Sequence, residues 1–166
     1  MKYELLKLEE FDRFYQILSN NFPTKEIKEY NYMKDTFHAG LYQVLTLKDN
    51  DQIVGIMSFY QHDDFRFIDY FAIDGSLKGK GMGSKMLQYF INLDDKMVIL
   101  EVEHPEDEQS KRNGLYLNDQ FEYFVPPVRN LKHRLYFHLM SSKRKINNIE
   151  FEKYYPQILK MVYGIE

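Results

Sequence analysis

Between residues 75 and 85 the chain gathers the residue types best suited to holding a phosphate. Four of its eight glycines fall within Gly75 to Gly83, and the run reads Lys78-Gly79-Lys80-Gly81-Met82-Gly83-Ser84-Lys85. Glycines let a backbone take positive φ and come close to a ligand, and the first turn of a helix offers unpaired N–H groups with a partial positive charge. Together these make a pyrophosphate cradle, around which Lys78, Lys80 and Lys85 add mobile positive charge. The spacing excludes two common nucleotide motifs. A P-loop needs glycines five positions apart before Lys and Ser or Thr, but five after Gly75 stands Lys80 and five after Gly79 stands Ser84. A dinucleotide fingerprint begun at Gly79 needs Gly or Ala at position 84, where the chain has Ser84. Taken alone, the hexapeptide also fits a plain strand-to-helix turn.

The neighbouring elements supply the strand and the helix. Phe65 to Ile73 reads as a strand ending at Asp74-Gly75, and Met86, Leu87, Phe90 and Ile91 recur at helical spacing behind the glycines. Met97 to Val102 has the length of a buried strand, and the intervening helix makes a crossover that would pair it parallel to Phe65 to Ile73. Upstream, Met1 to Leu8 predicts a strand and Leu8 to Phe22 an amphipathic helix stopped by Pro23. Thr24 is the predicted N-cap of a second helix carrying Ile27, Tyr30, Met33 and Phe37. Leu41 to Leu47 and Ile53 to Tyr60, parted by the polar cluster Lys48 to Gln52, predict a hairpin. Downstream come an acidic loop, His104 to Glu108, a short helix, Ser110 to Asn118, and strands at Phe121 to Val125 and Leu135 to Ser141 around Pro126-Pro127. A final amphipathic helix carries Ile149, Phe151, Tyr155, Ile158, Leu159 and Val162.

The segment Lys78-Gly79-Lys80-Gly81-Met82-Gly83 resembles the acyl-coenzyme-A signature of the GNAT superfamily of N-acetyltransferases: Arg or Gln, two residues, Gly, one residue, then Gly or Ala. Lys78 stands in the Arg/Gln position and keeps its charge. Phe67 to Asp74 is similar to the superfamily's fourth strand and Met97 to Glu103 to its fifth. Leu115-Tyr116-Leu117-Asn118-Asp119-Gln120-Phe121 resembles its Phe-Tyr-Glu-Arg-Leu-Gly-Phe stretch, with Gln120 in place of the glycine. A bacterial subgroup also shares Phe22-Pro23 and Glu101-Val102-Glu103-His104-Pro105. The resemblance implies a mixed α+β fold, a twisted and mostly antiparallel sheet of about seven strands flanked by helices, with the fourth and fifth strands parallel and splayed. It also implies acetyl-coenzyme A as co-substrate. Its pantetheine would pair with backbone groups of Phe71, Ala72 and Ile73, and its pyrophosphate would sit on Lys78, Gly79, Lys80, Gly81, Met82, Gly83 and Ser84.

On this resemblance an amine attacks the acetyl carbonyl directly in a ternary complex, an N–H near Phe71 receives the oxyanion, and the thiolate needs a proton. Tyr116 is the candidate acid, because a phenol of pKa near 10 can protonate a thiolate of pKa about 8.5 without being ionised at neutral pH. Without the motif it would be a packing tyrosine, one of 14. Asp69, Glu101 and Glu103 are candidate bases; strand alternation sets Glu101 and Glu103 on one face, away from Leu100 and Val102. Solvated or ion-paired carboxylates remain the alternative for each. The acceptor is expected to be a small-molecule or peptide amine near the first two helices, its identity and the oligomeric state, including a homodimer, left open. A non-catalytic acyl-coenzyme-A sensor and a protein-interaction module are the alternative functions.

Composition narrows the classes further. The chain has 166 residues, 44% hydrophobic and 28% charged, with a net charge of −3, as expected for a single domain over residues 1–166 with 142–166 as a C-terminal helical extension. A chain-wide basic field for nucleic acid is absent, and the short run Lys143-Arg144-Lys145 reads as solvated surface. With no cysteine there is no thiolate chemistry, and His38, His62, His104, His133 and His138 lack metal-ligand spacing, so no metal is expected. Aromatic residues, 16% of the chain, are expected to fill the core. No stretch approaches the ~18–20 apolar residues of a membrane span, and the charged first ten residues do not read as a signal peptide. A cytoplasmic location is the expectation by elimination.

Overall fold

The computed structural model describes residues 1–103, 121–124 and 137–164. The predicted acidic loop, the helix Ser110 to Asn118 with Tyr116, and the Pro126-Pro127 loop lie outside the described residues. The chain forms two compact units, Met1–Gln61 with Ile68–Leu93, and His62–Phe67 with Asp94–Glu166. Seven strands are present among the described residues.

In the first unit, β1 (Lys2–Leu5) pairs antiparallel with β2 (Gln43–Asp49), and β2 with β3 (Gln52–Gln61). β4 (Phe65–Ile73) lies next to β3 and contributes Ile68–Ile73 to this unit. The predicted hairpin is present. Asn50 and Asp51 both hold positive φ, 50° and 64°, the backbone that matches a two-residue turn to strand twist and that Asn and Asp tolerate. Helix α1 (Phe11–Asn21) buries Phe11, Phe14, Ile17 and Leu18, each worth about 1.5–3 kcal/mol relative to exposure. The predicted helix from Leu8 is split, since Leu8–Glu10 is a separate 3₁₀ turn.

The second helix departs from the sequence expectation. Thr24–Glu26 forms a 3₁₀ turn of its own, and α2 (Tyr30–His38) starts six residues beyond Thr24. Its cap is Glu29, whose carboxylate accepts from the N–H groups of Asn31 and Tyr32 at 3.1 and 3.0 Å. One carboxylate thus satisfies two orphan donors of the first turn, which the Thr24 hydroxyl could not reach from outside it. Helix α3 (Met82–Ile91) follows the glycine run and buries Met86, Leu87, Phe90 and Ile91.

In the second unit the first residues of β4 run parallel to β5 (Met97–Glu103). β5 pairs antiparallel with β7 (Phe137–Ser142), and β7 with β6 (Phe121–Phe124). Helix α4 (Asn148–Tyr163) buries Phe151, Tyr154, Tyr155, Ile158 and Val162. A capping box opens it: Asn147 Oδ1 accepts from Glu150 N at 2.8 Å, and Glu150 Oε1 accepts from Asn147 N at 3.2 Å. Gly164, at φ 65°, closes it in the left-handed conformation. No helix among the described residues is long and apolar enough to cross a membrane.

The β1–β2 edge is stapled by Lys48, only 5% exposed and placed at a register shift between Leu47 and Lys48. Its ammonium pairs with Glu4 and with Glu10, the latter at 2.6 Å. Burial pushes the Glu10 carboxyl up, but hydrogen bonds from Lys48 and from Lys7 N–H outweigh it and hold it below its ordinary value; the Lys48 hydrogen bond does the same for Glu4. Carboxyls lowered on folding contribute stability that is complete above their unfolded pKa of about 4.3 and is lost as pH falls through the folded value. Chemical denaturation between pH 6 and pH 3 is therefore expected to show a smaller acid-induced loss in Lys48→Met than in the unsubstituted chain. Equal losses would contradict the staple.

Candidate active site

The glycine run is held at both ends. At its entry Arg13, from α1, donates to the Ile53 carbonyl at 3.3 Å and to Asp74 Oδ2 at 3.4 Å, while Asp74 Oδ1 accepts from Ser76 N at 3.4 Å. At its exit an added Cβ on Gly83 would lie 3.6 Å from Phe71 Cζ and 3.8 Å from Ile73 Cγ1, so helix and strand approach there with room for about one methyl group between them. Ile73 is itself fixed by Gly55, where an added Cβ would come within 2.8 Å of Ile73 Cδ1 and 3.2 Å of Leu47 Cβ. Phe71, Ile73 and Gly83, singled out separately in the sequence, are thereby brought together, with Ala72 buried beside them.

Between these ends the backbone turns left-handed twice, at Gly79 (φ 80°) and Gly81 (φ 76°). An added Cβ at either would meet no heavy atom within 4 Å, so glycine answers to backbone conformation there and not to crowding. Gly81 is the N-cap of α3 and no side chain caps the helix. The first intrahelical bond is Lys85 N to Gly81 O at 3.2 Å, which leaves the N–H groups of Met82, Gly83 and Ser84 without a partner inside the helix. Ser84 and the lysines at 78, 80 and 85 are exposed around this terminus. The arrangement suits an anionic phosphate group: unsatisfied donors, the positive end of a helix, and mobile cations.

The candidate carboxylates occupy different units. Asp69, in β4, has a side chain 11% exposed with its Oδ2 3.7 Å from Lys28 Nζ. Around it burial, and then the Asp69 charge, push the hydroxyls of Tyr42, Tyr60 and Tyr70 above the ordinary tyrosine range, so all three stay protonated at neutral pH. Glu101, in β5 of the second unit, accepts a hydrogen bond from the Tyr163 hydroxyl of α4 at 2.7 Å. Glu103 closes β5. Lys28, Tyr60 and Tyr163 are additions that sequence reasoning did not supply. Lys28 meets its partners across 32 and 41 positions of chain, and Tyr163 meets Glu101 across 62; no local spacing encodes such contacts. Among the described residues no group of His, Asp and Glu is arranged to hold a metal ion.

The model of the acetyltransferase (GNAT) family matches residues 11–114. YjbC of Bacillus subtilis (strain 168), provisionally assigned as an acetyltransferase, is 27% identical over 115 residues, covering 66% of this chain and 57% of that protein. The chain therefore spans little more than half the length of this relative. A structure assigned to the GNAT family from Bacteroides thetaiotaomicron superposes with a TM-score of 0.85 at 20% identity, covering 100% of both chains. An aminoglycoside 6′-N-acetyltransferase complexed with coenzyme A superposes at 0.64 with 9% identity, covering 89% of this chain and all of the other.

The cradle makes a direct prediction. Gly81→Glu, placing a carboxylate and a strained side chain among the donors, is expected to weaken coenzyme A binding about 100-fold or more, equivalent to about 2.7 kcal/mol, in isothermal titration. Unchanged affinity in a folded variant would contradict the assignment of the loop.

Proposed function

Because the chain belongs to the acetyltransferase (GNAT) family, we propose that it moves the acetyl group of acetyl-coenzyme A to a primary amine by direct attack in a ternary complex. The observation that carries this reading is the uncapped start of α3 behind two left-handed glycines, packed against Phe71 and Ile73 of β4. Acetyl-coenzyme A supplies the thioester, whose thiol is the leaving group.

The chain's own residues divide the work. The N–H groups of Met82, Gly83 and Ser84, with Lys78, Gly79, Lys80 and Gly81 ahead of them, bind the pyrophosphate. Backbone groups of Phe71, Ala72 and Ile73 orient the pantetheine arm, and an N–H near Phe71 stabilises the oxyanion. Tyr116 gives the departing thiolate its proton. Asp69 or Glu101 takes a proton from the acceptor's ammonium, directly or through water, and so frees the neutral amine that attacks, with Glu103 a third candidate. The family match runs through segments of both units, and in this reading they serve one catalytic domain, with residues 142–166 as its C-terminal extension.

The test is turnover. With acetyl-coenzyme A and a panel of primary amines, free thiol is expected to appear with the unsubstituted chain. Tyr116→Phe is expected to lower kcat by about 10²–10⁴-fold, the usual worth of a positioned acid, while leaving acetyl-coenzyme A affinity unchanged. Equal kcat values would remove Tyr116 from the mechanism, and absence of acetyl-coenzyme A binding would overturn the reading.

A further inference from the structure

The segment between α1 and α2 sends one side chain into a group of residues that could serve a ligand. Lys28 Nζ donates to the Tyr60 hydroxyl at 2.7 Å and stands 3.7 Å from Asp69 Oδ2. The Tyr60 ring centroid is 5.1 Å from the same nitrogen. The hydroxyl oxygen is thus much the nearer of the two, so the hydrogen bond and not the ring face holds the ammonium. Tyr60 is wedged in place, buried against Tyr42 with ring centroids 4.9 Å apart. The Lys28 side chain is 21% exposed and that of Asp69 11%. A carboxylate so far out of water is costly unless a cation answers it.

The backbone that carries Lys28 is anchored independently of its side chain. The Tyr15 hydroxyl donates to the Lys28 carbonyl at 2.9 Å, and the Tyr70 hydroxyl to the Glu26 carbonyl at 2.5 Å. The ammonium sits at the end of a flexible four-carbon stem, so it can leave Asp69 while residues 26–28 stay where they are. Chemically it is a protonated primary alkylamine, the resting form of the acceptor proposed above. A hydroxyl and a carboxylate that hold one such group can hold another.

We propose that Asp69 and the Tyr60 hydroxyl form a primary-ammonium site whose built-in occupant is Lys28, and that an incoming amine binds by displacing it. Naming this as the acceptor site rests on the acetyltransferase reading; its existence as an ammonium site does not. The internal ammonium competes with every external one, so the apparent affinity for an amine is reduced by the fraction of time Lys28 occupies the site. Emptying the site without altering its walls should raise that affinity.

The experiment titrates the full chain with n-butylamine at pH 7.5 by isothermal calorimetry, with and without saturating acetyl-coenzyme A. Lys28→Met and Lys28→Gln are compared with the unsubstituted chain, and Lys28→Met is combined with Asp69→Asn. Folding of each is verified by its thermal transition. The expected result is an affinity about tenfold or more higher in the Lys28 variants, with the gain lost when Asp69 is replaced. Folded Lys28 variants that bind no tighter, or a gain that survives Asp69→Asn, would overturn the proposal. A gain in amine affinity without acetyl-coenzyme A binding would sink the acetyltransferase reading alone. Acetyl-coenzyme A binding without the gain would sink this inference alone.

Discussion

The phosphate cradle of the first unit depends on how the backbone passes from β4 into α3. Two left-handed residues, Gly79 and Gly81, let the chain reverse and start a helix whose first N–H groups meet no side-chain cap. An L-residue with a Cβ would resist that conformation at a cost of about 1–2 kcal/mol at each position. The strand end is fixed by Arg13 on Asp74, and the helix starts with Gly83 close beside Phe71 and Ile73. A loop rich in glycine is thus held between two ends that are placed by the residues around it and not by the loop itself.

Charge is handled in the same unit by a recurring arrangement: a lysine drawn out of water and answered by acidic or hydroxyl partners from distant strands. Lys48 does this at the β1–β2 edge with Glu4 and Glu10, and Lys28 does it with Asp69 and Tyr60. The two differ in consequence. Lys48 is almost wholly buried and staples strands, whereas Lys28 retains more exposure and extends from a segment tethered by two tyrosine hydroxyls. Buried pairs of this kind are poor sources of net stability, because desolvation offsets most of the attraction. Their value lies in fixing where a charged group sits.

The elements around the cradle were legible in the sequence because their signals are local. The predicted strand Phe65 to Ile73 coincides with β4, and the glycines precede α3 as expected. The Asn50-Asp51 turn lay inside the polar cluster that marked the hairpin. Thr24 misled because a hydroxyl after a proline looks like a cap, while the chain uses Glu29, a longer carboxylate able to take two N–H groups. Asp69 was legible as a carboxylate on a strand, but its lysine was not, since the pairing depends on tertiary folding over 41 residues. The same holds for Tyr163 on Glu101. Tyr116 lies outside the described residues, and its role rests on the sequence resemblance.

The N–H groups at the start of α3 that have no intrahelical acceptor are the proposed holders of the pyrophosphate of coenzyme A. Amide hydrogen exchange of the full chain, with and without saturating acetyl-coenzyme A and resolved to single residues, tests that role most directly. Met82, Gly83 and Ser84, which lack intrahelical acceptors, are predicted to exchange rapidly alone and to become protected in the complex. Exchange at these three amides that is unaltered under saturating cofactor would contradict the account.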